Sequence, residues 1–170
     1  MPPQLVRNVW HAIRRVVQRV NAIIELIAQP SFTQFVLRIA LTTPFWRSGI
    51  SKWAGFLQLN DVAVLLFSDE FKLHLPGGPY SFPAPEATAF LVASAEILFP
   101  ILLVLGLVTR LAASALLVMT LVVELTVPDG WPVHVTWAAM ALGIMAWGPE
   151  WLSLDHWFRF EQREWSAERQ

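Results

Sequence analysis

The sequence contains no cysteine. That absence removes disulfides, dithiol redox chemistry, cysteine-ligated clusters and covalently attached c-type haem from what this chain can do alone. Charge is scarce too: Asp, Glu, Lys and Arg make up 15% of the residues, against roughly 25% in a typical soluble domain. The charge present nearly cancels, at -1, so the concentrated basic surface that a nucleic-acid backbone requires is missing. Four histidines, at positions 11, 74, 134 and 156, are too scattered to form an evident metal site. No phosphate-binding glycine loop, zinc-protease histidine pair or serine-nucleophile elbow is found.

What is abundant is apolar surface. Apolar residues make up 55% of the 170, mean hydropathy is +0.50, and nine tryptophans are present. Tryptophan favours membrane–water interfaces. Four apolar stretches, near residues 32–50, 87–108, 110–127 and 132–149, each approach the roughly 20 residues that a helix needs to cross about 30 Å of hydrocarbon. Helices are the only sensible spanning form here, because lipid cannot satisfy an open sheet edge. The expected fold is therefore all-α, a membrane-embedded four-helix bundle over residues 30–157, with a C-terminal tail over 158–170.

Residues 1–29 precede it as a different kind of helix. Val6, Val9, Trp10, Ile13, Val16, Val17, Val20, Ile24 and Ile27 recur at helical spacing, with Arg7, His11, Arg14, Arg15, Gln18 and Glu25 on the other face. A basic face opposite a Val/Ile/Trp face is the pattern of an amphipathic helix lying in the headgroup plane. The alternative is a helix packed against a partner subunit.

Lys and Arg set the orientation. Arg7, Arg14, Arg15, Arg19, Arg110, Arg159, Arg163 and Arg169 flank one side, against Lys52 and Lys72 in the 51–86 loop. Eight against two puts both termini in the cytoplasm and the loop outside, in a bacterial inner membrane. The apolar run from Val62 to Phe67 and the Pro/Gly-rich strip from Pro76 to Pro85 make the loop too apolar to be free. It is expected to fold back as a short interfacial or re-entrant helix that caps the bundle.

Ionisable groups within spans are costly and need an explanation. They are Arg38, Arg47, Glu96, Glu124 and His134. Glu96 falls near the midplane, and the sequence predicts that it faces the bundle interior and contacts Arg38 or Arg47. Two readings compete: paired charges that only fix helix packing, or a proton acceptor at a ligand site. In the second, Arg47, Glu96, Glu124 and His134 supply the polar contacts, with Trp131 and Trp137 bordering the site. Arg110, in the turn between the second and third spans, is expected to pair with Asp155.

Leu37-Arg38-Ile39, then Ser48-Gly49-Ile50-Ser51-Lys52-Trp53, resembles the start of a DoxX-family protein. Glu96 followed by Pro100 and Leu102–Arg110, and Gly148-Pro149 followed by Ser153-Leu154-Asp155, resemble that family's second helix and ending. The resemblance covers roughly residues 33–157. Asp69-Glu70-Phe71-Lys72 and Pro128–His134 are similar to DoxX proteins encoded beside copper-responsive, post-translationally modified small proteins. The resemblance implies a four-helix membrane protein associated with redox partners, whose relatives include a subunit of a thiosulfate:quinone oxidoreductase. The function it implies is a membrane subunit of a redox or metal-stress system that binds quinone within the bundle. Without cysteine, a bound quinone or a partner's cofactor must carry the electrons. The alternatives are a non-catalytic anchor or assembly factor for a partner protein or for a second copy of the chain, and a small-solute transporter.

Overall fold

In the computed structural model, residues 3–149 and 153–155 are described, and the chain is mostly helical. The expected tail over 158–170, with Arg159, Arg163 and Arg169, lies outside the described residues. Helix α1 (Pro3–Ile27) holds no glycine or interior proline, and the apolar side chains described along it stay open. Trp10, Val16, Ile24 and Ile27 are all more than half exposed. Helix α2 (Pro30–Ser51) starts on a proline at its first position, where the missing N–H costs nothing. The two helices meet at a bend of 51°.

Three further long helices follow: α4 (Pro85–Leu105), α5 (Thr109–Thr126) and α6 (Trp131–Trp147). Helix α2 packs on α4, α4 on α5, α5 on α6, and α6 back on α2. Leu41 and Phe45, Leu103, Leu116 and Ile144 meet in the shared core with Ala112, Ala113 and Ala141. Small residues on α5 and α6 let these helices approach closely, as helix pairs in lipid require. By length and composition α4 and α5 are each able to cross a membrane, and the bent α1–α2 pair counts as a third if taken as one span. Helix α6, with 17 residues, is about 25 Å long at a rise of roughly 1.5 Å per residue, just under the hydrocarbon thickness. Arg38 and Arg47 dilute α2. The structure thus shows four packed long helices, two to three of which qualify as spans.

The tight turn between α4 and α5 is clamped by the end of the described chain. Gly106 adopts φ +69, closing α4 in a Schellman motif, with Leu107 N–H on the Leu102 carbonyl at 2.8 Å and Gly106 N–H on Leu103 at 3.2 Å. A side chain there would also strike Ser153 and the Arg38 guanidinium, with its Cβ 2.4 and 2.9 Å from them. Asp155 caps α5: its carboxylate accepts from Val108 N–H at 2.8 Å, Thr109 N–H at 2.7 Å and Thr109 Oγ1 at 2.9 Å. This corrects the expected Arg110–Asp155 pair. The carboxylate is taken by the orphan N–H groups of a helix start, while the Arg110 guanidinium lies against Gly148.

The segment between α2 and α4 is folded rather than free, and it carries strands as well as helix. Strands β1 (Trp53–Gly55) and β2 (Gln58–Leu59) form one antiparallel ladder, and β3 (Lys72–Leu73) and β4 (Tyr80–Ser81) another. Between them α3 (Asp61–Leu65) is capped by Asn60, whose side chain accepts from Val62 N–H at 3.0 Å. It runs on into a π-helical turn over Leu66–Glu70. These elements pack on α4, and β3 packs on α5.

Candidate functional site

Glu96 lies at the middle of α4, 11 residues after Pro85 and 9 before Leu105, so about 15 Å from either end by helical rise. Opposite it stands Gly49 of α2. A Cβ at Gly49 would sit 3.0 Å from Glu96 Cβ and 3.1 Å from its carbonyl carbon, so only glycine allows the two backbones to come this close. The same contact fixes what surrounds the carboxylate. Ser48 and Lys52 are one helical turn apart and share a face. Lys52 Nζ donates to Glu96 Oε2 at 2.6 Å and to Ser48 Oγ at 2.6 Å, and Ser48 Oγ donates to Glu96 Oε1 at 3.1 Å. A longer contact, 3.3 Å, runs from Lys52 Nζ to the Ser48 carbonyl. The ammonium also sits at the C-terminal end of α2, where the helix dipole favours a cation. Lys52 and Glu96 side chains are only 11% and 5% exposed, and a charge pair so enclosed persists because each ion holds further hydrogen bonds.

Lys52 therefore takes the place expected for Arg38 or Arg47. Arg47 adjoins Ser48 in sequence and so points about 100° away; it is exposed. Arg38 is buried at 1% exposure, but it stands 14 residues before Lys52 in the sequence and lies against Gly106, at the C-terminal end of α4.

The ion pair forms the polar end of a cavity of about 230 Å³ between α4, α5 and the 52–84 segment. Its roof is aromatic: Phe67 meets Phe71 edge-on at 5.2 Å and Phe82 at 5.5 Å. Its wall is Val118, Met119, Val122 and Val123 of α5. Val118 and Val122 also reach the exterior of the helix pack, and α4 and α5 pack more loosely on each other than on α2 and α6. The cavity therefore opens sideways, toward where lipid would lie. A larger groove of about 1060 Å³, on the other side of α3, is wide open; it lacks the enclosed polar cluster and is considered separately below.

A second polar pair lies on a different face of α5. His134 Nδ1 is 2.8 Å from Glu124 Oε2, within hydrogen-bond distance. The imidazole packs at a tilt against Trp137, with ring centroids 5.0 Å apart, and Trp137 packs at a tilt against Phe45 at 5.4 Å. None of Glu124, His134 or Trp137 lines the cavity with Glu96, and Trp131 is 54% exposed. The expected ligand set is thus divided: Glu96 in the cavity, Glu124 and His134 in a separate pair, Arg47 and Trp131 at the surface. Ser48, Lys52 and the three phenylalanines were not among the expected site residues. Among the described residues, no group of three or more metal-ligating side chains gathers.

Apolar helices of spanning length, packed so that a charge pair is enclosed at mid-helix, define a membrane protein. The chain belongs to the DoxX family: the DoxX family model matches residues 33–129, more than half of the 170. The match takes in α2, α4, α5 and the cavity between them and ends before α6. No curated protein and no solved structure gives a significant match.

Proposed function

We propose that this chain is a four-span, inner-membrane DoxX subunit of a redox system, with both termini cytoplasmic, that binds a quinone in the cavity beside Lys52 and Glu96. The observation that carries this reading is the chemistry of the cavity: an apolar, aromatic-roofed space with one buried cation–carboxylate pair at its end. A cavity of about 150 Å³ can hold a benzene, so 230 Å³ accommodates a substituted six-membered ring, leaving the tail to pass out between α4 and α5. A ring carbonyl would accept from Lys52 Nζ in place of its weakest contact, the 3.3 Å one to Ser48. Glu96 would then be the adjacent proton acceptor. The electrons must come from or go to a partner, since the chain has no cysteine pair to exchange two of them.

The exposed apolar face of α1 favours one further element, an anchoring role in which α1 lies on the membrane or against that partner. The test of the main reading is saturable binding of a short-tailed quinone to the purified protein, measured by equilibrium dialysis, together with extraction of native quinone. Binding is expected in the wild type and about tenfold weaker in Lys52→Met, the loss of one hydrogen bond to a charged donor. No saturable binding and no extractable quinone would defeat the proposal.

A further inference from the structure

On the far side of α3 from the quinone cavity, β1–β2, α3 and the first turns of α4 enclose the open groove of about 1060 Å³. Leu57, Val64, Phe90 and Leu91 give it an apolar floor, and Asp61 and Glu86 stand among them. Both carboxylates are exposed, and no Lys, Arg or His lines the groove. Around it the same end of the molecule is acidic as well: Asp69, Glu70 and Asp129 are exposed. Lys52 contributes no free positive charge there, because it is enclosed with Glu96. Next to the groove, Phe56 at the tip of β1–β2 is 93% exposed, and Leu57 holds a left-handed backbone at φ 56. Leucine adopts that conformation at a cost, and here the result is two bulky apolar side chains presented outward.

We infer that this groove docks an apolar segment bearing Lys or Arg side chains from a partner protein on the loop side of the membrane. Charge selects the occupant. A phospholipid couples any headgroup cation to an adjacent phosphate, and no lining residue among those described can meet that phosphate, whereas an amine or guanidinium on an apolar segment meets two carboxylates over an apolar floor with no anion attached. A second copy of the chain does not fit either. Its own basic amphipathic segment is α1, which precedes α2, while the groove begins after α2 ends; the 22 residues of α2 put about 33 Å between them. The inference stands apart from the quinone reading, since the groove and the cavity share no lining residue.

The test uses the full chain in nanodiscs of zwitterionic lipid, a photo-crosslinking residue at Gln58 in the groove wall, and a fluorescent Lys/Leu peptide as probe. The peptide is expected to crosslink, and a Glu/Leu peptide of the same length is not. Asp61→Asn with Glu86→Gln should weaken the Lys/Leu peptide by about tenfold or more, the scale of losing two rim-to-core charge contacts. Asp69→Asn with Glu70→Gln should leave it within about twofold, and an unchanged thermal unfolding midpoint in both variants would show that each is folded. Equal losses in the two double variants would reduce the effect to diffuse charge attraction and overturn the inference. So would crosslinking to phospholipid in place of the peptide, or an undiminished Asp61/Glu86 variant.

Discussion

Glu96→Gln is the perturbation that most directly questions the buried pair. The amide fills the same space, so no cavity opens, but the Lys52 ammonium loses its counter-charge. Removing one partner of a buried ion pair costs about 3–5 kcal/mol. The lower end applies here, because Lys52 keeps its 2.6 Å contact to Ser48 Oγ and its 3.3 Å contact to the Ser48 carbonyl. A loss of about 3 kcal/mol corresponds to a fall in Tm of roughly 6–12 °C for a chain of this length. Lys52→Met alone strands the carboxylate and should cost a similar amount. Lys52→Met combined with Glu96→Leu removes both charges, and apolar replacement of a buried pair is often neutral or stabilising.

The assay is thermal unfolding in one detergent for wild type, Lys52→Met, Glu96→Leu and the Lys52→Met/Glu96→Leu double variant, closed as a double-mutant cycle, with Glu96→Gln measured beside them. The reasoning requires a coupling of at least about 2 kcal/mol, with the double variant nearer to wild type than either single variant. If the single losses add to within about 0.5 kcal/mol, the two groups are independently solvated and the pair organises nothing. The cycle also separates structure from function. The double variant should be stable and yet bind quinone poorly, whereas a purely structural pair would leave binding intact.

Gly49→Ala should destabilise by about 1–3 kcal/mol, the cost of overpacking, because the new Cβ meets Glu96 backbone and Cβ at 3.0–3.1 Å, which cannot swing away; denaturant titration reads this directly. Asp155→Asn should cost about 1 kcal/mol, and Asp155→Ala up to about 2, as caps do, since three donors converge on its two oxygens. Equal stability of Asp155→Asn and wild type would argue that this cap contributes nothing. His134→Gln and Glu124→Gln should leave quinone affinity within about twofold, because that pair faces away from the cavity, and a tenfold loss would restore the single-site reading. A reporter fused at residue 70 should read as extracytoplasmic, and a cytoplasmic signal there would reverse the proposed orientation.

The long helices were legible because their signal is collective. Some twenty apolar residues in a row leave little choice of structure, and prolines at 30 and 85 with glycines at 106 and 148 mark where helices begin or end. The amphipathic pattern of α1 was equally readable, since it needs only spacing. The loop's strands were not. Each ladder is two or three residues long, too short for alternation to register, and they depend on packing against α4 and α5. Glu96 was identifiable as a residue in need of a partner, yet the partner was misread. Hydropathy points to cations inside the apolar stretches, and Lys52 stands one residue beyond the end of α2. The clue lay in the small residue at 49, which sets how closely α2 and α4 cross, and in the Ser48/Lys52 spacing of one turn on the face it presents.

Lys52 is also one of the few cations on the loop side. Counting flanking Lys and Arg set eight residues against two, with Lys52 among the two. In the folded protein Lys52 is enclosed with a mid-helix carboxylate, and Lys72 is the other loop-side lysine of that count. Lys72 is itself turned inward, its Nζ donating to the Ser68 carbonyl at 2.9 Å and to Ser81 Oγ at 3.2 Å. Positive charge near span ends resists translocation while the chain inserts, before these folded-state contacts exist, so the eight-to-two count on which the proposed topology rests is unchanged by them. The same lysine also ties two features that the sequence presents as separate. It is the last link of α2 before the loop and the first polar contact of the cavity, so the loop's aromatic roof and the buried pair are held by one residue. Lys52→Met should accordingly loosen the 52–84 segment, seen as faster hydrogen exchange at Phe67 and Phe71, as well as weaken quinone. Variants at Glu124 or His134, at the far face of α5, should change neither.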